Sequence, residues 1–240
     1  MNNRFSEPKK PASRKGQVIG LVLMALLLVA VYFYADWRAG QNTKGDIVVT
    51  ENADGVQTAA TVEPAPVQSG FVATDYVQID IENYGSITAE LYGEEAPITV
   101  KNFMGLVDSG FYDGLTFHRI IDGFMIQGGD PLGNGTGGSS TKIKGEFAAN
   151  GVENEISHVR GVLSMARSSA NNSASSQFFI MQDDADYLDG NYAAFGRVLS
   201  GIEVVDAVVK GTPVTDNNGT VAKANQPKIT SIKRIEKPAA

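Results

Sequence analysis

The chain has 240 residues, a formal charge of −7 and no cysteine. This length allows one sizeable domain with extensions, or two small domains. Residues 1–15 carry a charge of +4 and the remainder −11, which argues against binding of a nucleic-acid backbone, since that requires clustered Lys and Arg. The absence of cysteine excludes disulfides, thiolate metal sites and a lipid-anchored lipoprotein.

Near the N-terminus, residues 18–34 form a run of 17 residues without a charge, rich in Leu, Val and Ala. At about 1.5 Å per residue, a helix of this length spans roughly 25 Å, the short end of a bilayer core. A cleaved signal peptide is disfavoured, because cleavage after Ala35 or Ala39 would put Phe33 or Trp37 at position −3. A buried helix is disfavoured by the basic flank.

We therefore expect an uncleaved signal anchor over residues 18–35, with the basic tail of residues 1–17 in the cytoplasm by the positive-inside rule. The protein would be a single-pass protein of the cell membrane whose C-terminal domain is extracytoplasmic. Residues 36–74 show no apolar periodicity, and we expect a flexible linker there.

Regular patterns follow the linker. Alternating apolar residues at 77–81 and 87–91, separated by a turn at residues 83–85, predict a β-hairpin. Residues 97–110 place apolar side chains at helical spacing between a Pro and a Gly, and predict a helix. A second short helix is predicted at residues 201–210.

Several short β-like runs complete the pattern, without an internal repeat. They lie at residues 117–127, 162–165, 177–182, 193–198 and 229–235. Many short strands with two helices indicate a closed barrel capped at its ends.

The most informative stretch is FHRIIDGFMIQGGDPLGNGTGG, at residues 117–138. It places a lone Arg, two large apolar side chains and a Gln within nine residues, and a glycine-rich run follows. In a strand, Phe124 and Ile126 would share one face, and Met125 and Gln127 the other. A face that mixes a thioether and an amide beside an Arg suits a groove for an extended peptide.

Further motifs are SMARSSANNSASSQFFI at residues 164–180, YLDG at 187–190 and FGRV at 195–198. With the 117–138 stretch, they closely resemble the cyclophilin family of peptidyl-prolyl cis/trans isomerases, over residues 75–237. The resemblance implies a mostly β fold, a closed eight-stranded antiparallel barrel capped by two α-helices. It also implies an enzyme that accelerates rotation about Xaa-Pro bonds without metal or cofactor. The anchor would make its substrates proline-containing exported or surface polypeptides.

By this resemblance, Arg119 is the catalytic residue, which donates to the proline nitrogen. The resemblance also assigns Phe124, Met125, Phe179 and Leu188 to the proline pocket, and His118, Gln127, Gly135, Ala166, Arg167, Gln177, Tyr187 and Tyr192 to the rest of the substrate groove. The simpler interpretations are a solvated ion pair for the Arg and core packing for the apolar residues. A catalytically weak proline-peptide-binding chaperone or scaffold is the alternative function, and the intact Arg119, Gln127 and Phe179 favour the enzyme.

The two histidines are not expected to act as bases, because rotation about a peptide bond needs no proton transfer. We expect His118 to orient the Arg or to line the groove, and His158 to lie in a loop. Two histidines and no cysteine leave almost no material for a metal site.

The chain departs from the best-known eukaryotic members in several positions. Asp122 replaces Pro, Arg167 replaces Asn, Tyr187 replaces Trp, Tyr192 replaces His, and the loop at residues 168–176 is one residue longer. These changes resemble the bacterial branch of the family, and they predict weak affinity for the inhibitor cyclosporin.

Overall fold

The computed structural model describes residues 70–239. The expected cytoplasmic tail, the signal anchor and nearly all of the linker therefore lie outside the described residues. Within residues 70–239, no helix has both the length and the hydropathy to cross a bilayer. The strands and α-helices of this part of the chain are β1 (Asp75–Ile81), β2 (Gly85–Leu91), α1 (Pro97–Asp108), β3 (Phe117–Ile121), β4 (Met125–Gly128), β5 (Val162–Met165), β6 (Phe178–Met181), β7 (Ala194–Ser200), α2 (Ile202–Gly211) and β8 (Ile229–Ile235).

All of these strands belong to one antiparallel sheet, in the order β3-β4-β6-β5-β7-β2-β1-β8. The hairpin of β1 and β2 confirms the alternation in the sequence, because Val77, Ile79 and Ile81 are buried. Asn83 makes the turn between the two strands with a φ of 67°, a left-handed conformation that Asn tolerates well.

The two edge strands of this sheet, β3 and β8, approach each other beside residue 116. The amide of Gly114 donates to the carbonyl of Ile229 (2.8 Å), and the amide of Phe117 donates to the carbonyl of Pro227 (2.9 Å). An isolated bridge joins Thr116 and Lys228. The pairing thus shows a curled eight-stranded half-barrel with two helices, and complete closure into a barrel stays a prediction.

Helix α1 begins at Pro97, as the sequence predicts, but its first turn is capped by a distant side chain. The buried carboxylate of Glu146 accepts hydrogen bonds from the amides of Ile98 (3.0 Å) and Thr99 (2.7 Å) and from the Thr99 hydroxyl (2.7 Å). Two of the otherwise unsatisfied amides of the helix start are thereby paired. Glu146 lies 47 residues from Thr99 in the chain, so no local capping motif in the sequence indicates this cap.

Apolar side chains of the sheet and helices form two clusters. The larger one packs α1 and α2 against the sheet and contains a set of aromatic rings around Phe103, whose centroid lies 5.1–5.5 Å from those of Tyr112, Phe178 and Phe195. Aromatic pairs at such distances stabilise a core by about 0.5–1.5 kcal/mol each beyond the burial of their area. The smaller cluster is built around Met125 and contributes to the candidate site.

The run at residues 117–127 differs from its prediction as one continuous strand. It folds into two strands, β3 and β4, because Gly123 adopts a φ of 68° and the amide of Phe124 donates to the carbonyl of Ile121 (3.1 Å). The turn changes the direction of Phe124, which packs on the smaller cluster instead of sharing the core face with Ile126. The expected separation of Ile126 from Met125 is confirmed.

Candidate functional site

Arg119 lies on β3 directly opposite Gln127 on β4. Its Nη1 donates to Oε1 of Gln127 (3.2 Å), its Nε to the carbonyl of Asn218 (2.9 Å), and its Nη2 to Oδ1 of Asn218 (3.2 Å). A guanidinium has five N–H donors, so these bonds fix its plane and leave about two for a substrate. Burial lowers the pKa of Arg119, but an arginine at such a site stays charged.

A chain of amides continues from this guanidinium. Nε2 of Gln127 donates to Oε1 of Gln177 (2.9 Å), and Nε2 of Gln177 donates to the carbonyls of Gly137 (2.7 Å) and Gly135 (3.1 Å). Each hydrogen bond fixes the orientation of the next amide. The structure thus brings together four of the predicted groove residues, Arg119, Gln127, Gln177 and Gly135.

The predicted proline pocket also comes together, in the smaller apolar cluster. Met125, Phe179 and Leu188 are 1%, 5% and 7% exposed, and Phe124 packs against the same cluster with Ala166 and Tyr192. Phe179 pairs with Gln127 across β4 and β6, so the apolar pocket directly adjoins the amide chain. The edge of the Tyr192 ring meets Phe179, with 6.0 Å between centroids.

Tyr187 and Leu188 share a 3₁₀ turn at residues 186–188 but differ in environment. Leu188 is buried in the cluster, whereas Tyr187 is 53% exposed and lies 6.0 Å from the Phe124 ring. The turn therefore places Leu188 inside the pocket and Tyr187 on its rim.

His118 lies beside Arg119 and is 5% exposed. Neither ring nitrogen has a hydrogen-bond partner among residues 70–239, so the ring does not orient the guanidinium through a hydrogen bond. Burial lowers the pKa of His118, the charge of Asp130 opposes this shift, and Arg119 adds to it. A Cβ on Gly135 would lie 3.6 Å from Nε2 of the ring, so His118 lines the groove under this glycine.

His158 lies in a loop, as the sequence predicts, but this loop residue is buried and only 1% exposed. Its Nδ1 lies 2.8 Å from Oδ1 of Asp189 and its Nε2 lies 2.9 Å from the Ser164 hydroxyl. The ring stacks on Phe179 with 6.0 Å between centroids. The three groups have the order of a hydrolase triad, but Ser164 is 0% exposed, so no substrate reaches it and the network supports the pocket from below.

Sequence reasoning missed both His158 and Asn218 as parts of the site. His158 lies two residues after the buried Ile156, a spacing that puts both on one side of extended backbone, and this was the available signal. Asn218 lies 99 residues from Arg119 in the chain, and its neighbourhood offers no signal.

Comparisons with known proteins agree with this geometry. Residues 76–234 match the family described as cyclophilin type peptidyl-prolyl cis-trans isomerase. A peptidyl-prolyl cis-trans isomerase of Arabidopsis thaliana is 46% identical over 129 residues, which cover 53% of this chain and 79% of the relative. One of Helicobacter pylori (strain 26695) is 44% identical over 131 residues, which cover 54% of this chain and 77% of the relative.

This chain is also similar to solved structures of cyclophilin type isomerases. A cyclophilin type isomerase of Cryptosporidium parvum is 33% identical, with a TM-score of 0.60 over 68% of this chain and 99% of that protein. The same protein was also solved in the presence of the dipeptide Ala-Pro, where the identity is 34% and the TM-score 0.59 over the same shares of the two chains.

The family match covers well over half of the chain, and the sheet, the apolar pocket and the Arg119–Gln127 pair fit it. This chain therefore belongs to the cyclophilin family and is a peptidyl-prolyl cis-trans isomerase.

Proposed function

We propose that Arg119 catalyses the isomerisation by donating to the proline nitrogen, and that the enzyme acts on exported or surface polypeptides outside the cytoplasm. The X–Pro bond resists rotation with a barrier of about 18–20 kcal/mol because of amide resonance. Rotation breaks this resonance and leaves a pyramidal nitrogen with a lone pair. A donor aimed at that lone pair stabilises the twisted state more than either planar isomer.

The catalytic role of Arg119 is supported by the position of its guanidinium, which lies between polar side chains and the apolar pocket. Hydrogen bonds to Asn218 and Gln127 fix the orientation of Arg119. Phe179, which pairs with Gln127 on the neighbouring strand, belongs to the apolar pocket. A proline ring held in the pocket would present its nitrogen toward the donors that remain. No nucleophile or proton acceptor takes part, since bond rotation transfers no atom.

Exchange spectroscopy on an Ala-Pro peptide tests whether the protein catalyses cis–trans isomerisation or only binds the peptide. A catalyst present in small molar amounts should speed the cis–trans exchange of the whole peptide pool. Bound peptide whose exchange remains at the uncatalysed rate would show the weak proline-peptide-binding module instead.

The proposed place of action rests on the N-terminal sequence. Residues 18–34 carry no charge, a basic tail precedes them, and residues 36–74 would separate the anchor from the isomerase domain of residues 75–237. We also propose that the contacts between residues 114–117 and 227–229 close the curled sheet into a barrel. The departures at Asp122, Tyr187 and Tyr192 support a place in the bacterial branch of the family.

Protease added to intact cells tests the location. We expect cleavage in residues 36–74 that releases an active domain, whereas a chain without residues 1–35 should be soluble and active. Resistance to protease until the membrane is opened would reverse the proposed orientation. A mature protein that begins at residue 36 or 40 would show a cleaved signal peptide.

A further inference from the structure

A polar cavity of about 360 Å³ lies beside the amide chain of the groove. Gln127, Gln177 and Ala166 belong to its wall, so the cavity opens directly beside the atoms that flank the proline site. The remaining lining residues are Gly135, Thr136, Gly137, Gly138, Ser139, Lys142, Arg167, Ser168, Ser173 and Ser175. Its position indicates that a side chain of the bound peptide can enter it.

The charges around this cavity have one sign. Lys142 and Arg167 are the charged residues of its lining, which includes no carboxylate. Neither cation forms an ion pair with a carboxylate of residues 70–239, whereas Arg160, Arg197 and Arg234 in the same part of the chain all do. The cavity therefore presents positive charge that the described domain does not neutralise.

Arg167 is held in place by uncharged groups. Its Nε and Nη2 donate to the carbonyl of Asn191 (3.0 and 2.8 Å), and its Nη1 donates to the carbonyl of Ser168 (3.0 Å). The guanidinium carbon also lies 4.8 Å from the centroid of the Tyr192 ring and 4.9 Å from that of Phe147. Carbonyl and ring contacts order a guanidinium but leave its positive charge for an anion.

We infer that this cavity binds a carboxylate side chain of the substrate, so that the isomerase prefers Asp or Glu near the proline. The inference rests on the proposed role of the Arg119 groove in binding the peptide. An extended chain advances about 3.3 Å per residue, and the cavity adjoins Gln127, so the acidic residue lies within about three residues of the proline. Hydroxyls of the cavity wall add neutral donors for the second carboxylate oxygen.

The acidic body of the chain does not cancel this preference. At physiological ionic strength, interactions between exposed charges are screened beyond about 8 Å. The carboxylate in the cavity would lie in direct contact with Lys142 and Arg167, where the attraction is least screened. We expect kcat/KM for a Glu peptide to exceed that for its Gln counterpart by about three- to tenfold at the preferred position.

The test uses the full-length chain in detergent and Xaa-Pro peptides in which one residue, Glu, Gln or Lys, is moved through the three positions on each side of the proline. Exchange spectroscopy reads the isomerisation rate without a coupled protease, whose own sequence preference would interfere. The readout is the Glu-to-Gln ratio of kcat/KM, which is unaffected by general losses of activity. A ratio near one at every position would overturn the inference.

Variants assign the preference to the cavity. In Lys142→Gln with Arg167→Gln the Glu-to-Gln ratio should fall to about one, and each single variant should lower it in part. Lys233→Gln removes the same charge from β8 and should leave the ratio unchanged. A ratio that persists in the double variant would overturn the inference. Arg119→Ala should slow all peptides while it preserves the ratio, so the catalytic proposal fails separately if that variant stays fully active.

Discussion

Arg119 reaches the groove with three of its donors already engaged by the protein. A free arginine side chain samples many rotamers, and ordering it on binding would cost on the order of 2 kcal/mol. The hydrogen bonds from Arg119 to Asn218 and Gln127 already order the side chain in the folded protein, so substrate binding does not have to order it. The loop that carries Asn218 is itself fixed, since Asp216 accepts from the amides of Asn218 (3.0 Å) and Thr220 (3.0 Å).

Tyr187 is the residue that we expect to set the response to cyclosporin. An indole at this rim would offer a larger apolar face and an N–H donor, so Tyr187→Trp should strengthen inhibition. One relocated hydrogen bond and some ring contact amount to roughly 1–3 kcal/mol, or about one to two decades in affinity. Titrating cyclosporin against both proteins in one isomerase assay measures this. Equal inhibition would assign the drug response to Arg167, Tyr192 or the longer loop.

We expect the two buried histidines, His118 and His158, to make the stability of the fold sensitive to acid. Burial lowers the pKa of His158 although Asp189 opposes the shift, and burial also lowers that of His118. Histidine in the unfolded chain titrates near pH 6.5, so the unfolded state binds more protons just below that pH. The stability is fully present above about pH 6.5 and is lost as the pH falls through the lowered folded-state pKa values.

Urea unfolding at about pH 7.5, 6.5 and 5.5 tests this dependence. The free energy of unfolding should change little between about pH 7.5 and 6.5 and should decline between about pH 6.5 and 5.5. His158→Gln removes one of the two groups and should show a smaller decline over the same interval. A free energy of unfolding that stays constant down to about pH 5.5 would contradict the role of both histidines.

At the scale of single elements, α1 depends on a cap that its own sequence does not provide. Glu146→Ala leaves the amides of Ile98 and Thr99 and the Thr99 hydroxyl without their acceptor. We expect the free energy of unfolding to fall by about 2 kcal/mol, with little change in kcat/KM. Urea titration measures this, with Glu155→Ala at an exposed position as the control. Equal stability of the two variants would show that water replaces the cap.

The elements also show why the site lies where it does. Antiparallel pairing puts Arg119 opposite Gln127 and Gln127 opposite Phe179, so three neighbouring strands present a donor, an amide and an apolar ring in one row. The 3₁₀ turn at residues 186–188 adds Leu188 from a separate segment. Strand register therefore sets the order of the groove, and a register slip would move these side chains to the other face.

For the whole molecule, local patterns predicted most of the fold. The hairpin of β1 and β2 and the two helices followed from periodicity, and α2 begins at Ile202, within one residue of its expected start. The groove residues followed from motif resemblance, and the structure brings them together. The features that the sequence did not reveal depend on contacts between residues far apart in the chain. They are the cap of α1 by Glu146, the hydrogen bonds from Arg119 to Asn218, and the hydrogen bonds of the buried His158.

The central claim is that the Arg119 guanidinium stabilises the twisted Xaa-Pro bond. The most direct measurement is kcat/KM of full-length Arg119→Ala for an Ala-Pro peptide, together with its melting temperature. Arg234→Ala, which removes a surface arginine paired with Asp75 and Asp108, serves as control. We predict that Arg119→Ala loses about one to three decades of kcat/KM, or roughly 1.4–4 kcal/mol of transition-state stabilisation, while it melts near the wild-type temperature. Unchanged activity in a folded Arg119→Ala protein would contradict the account.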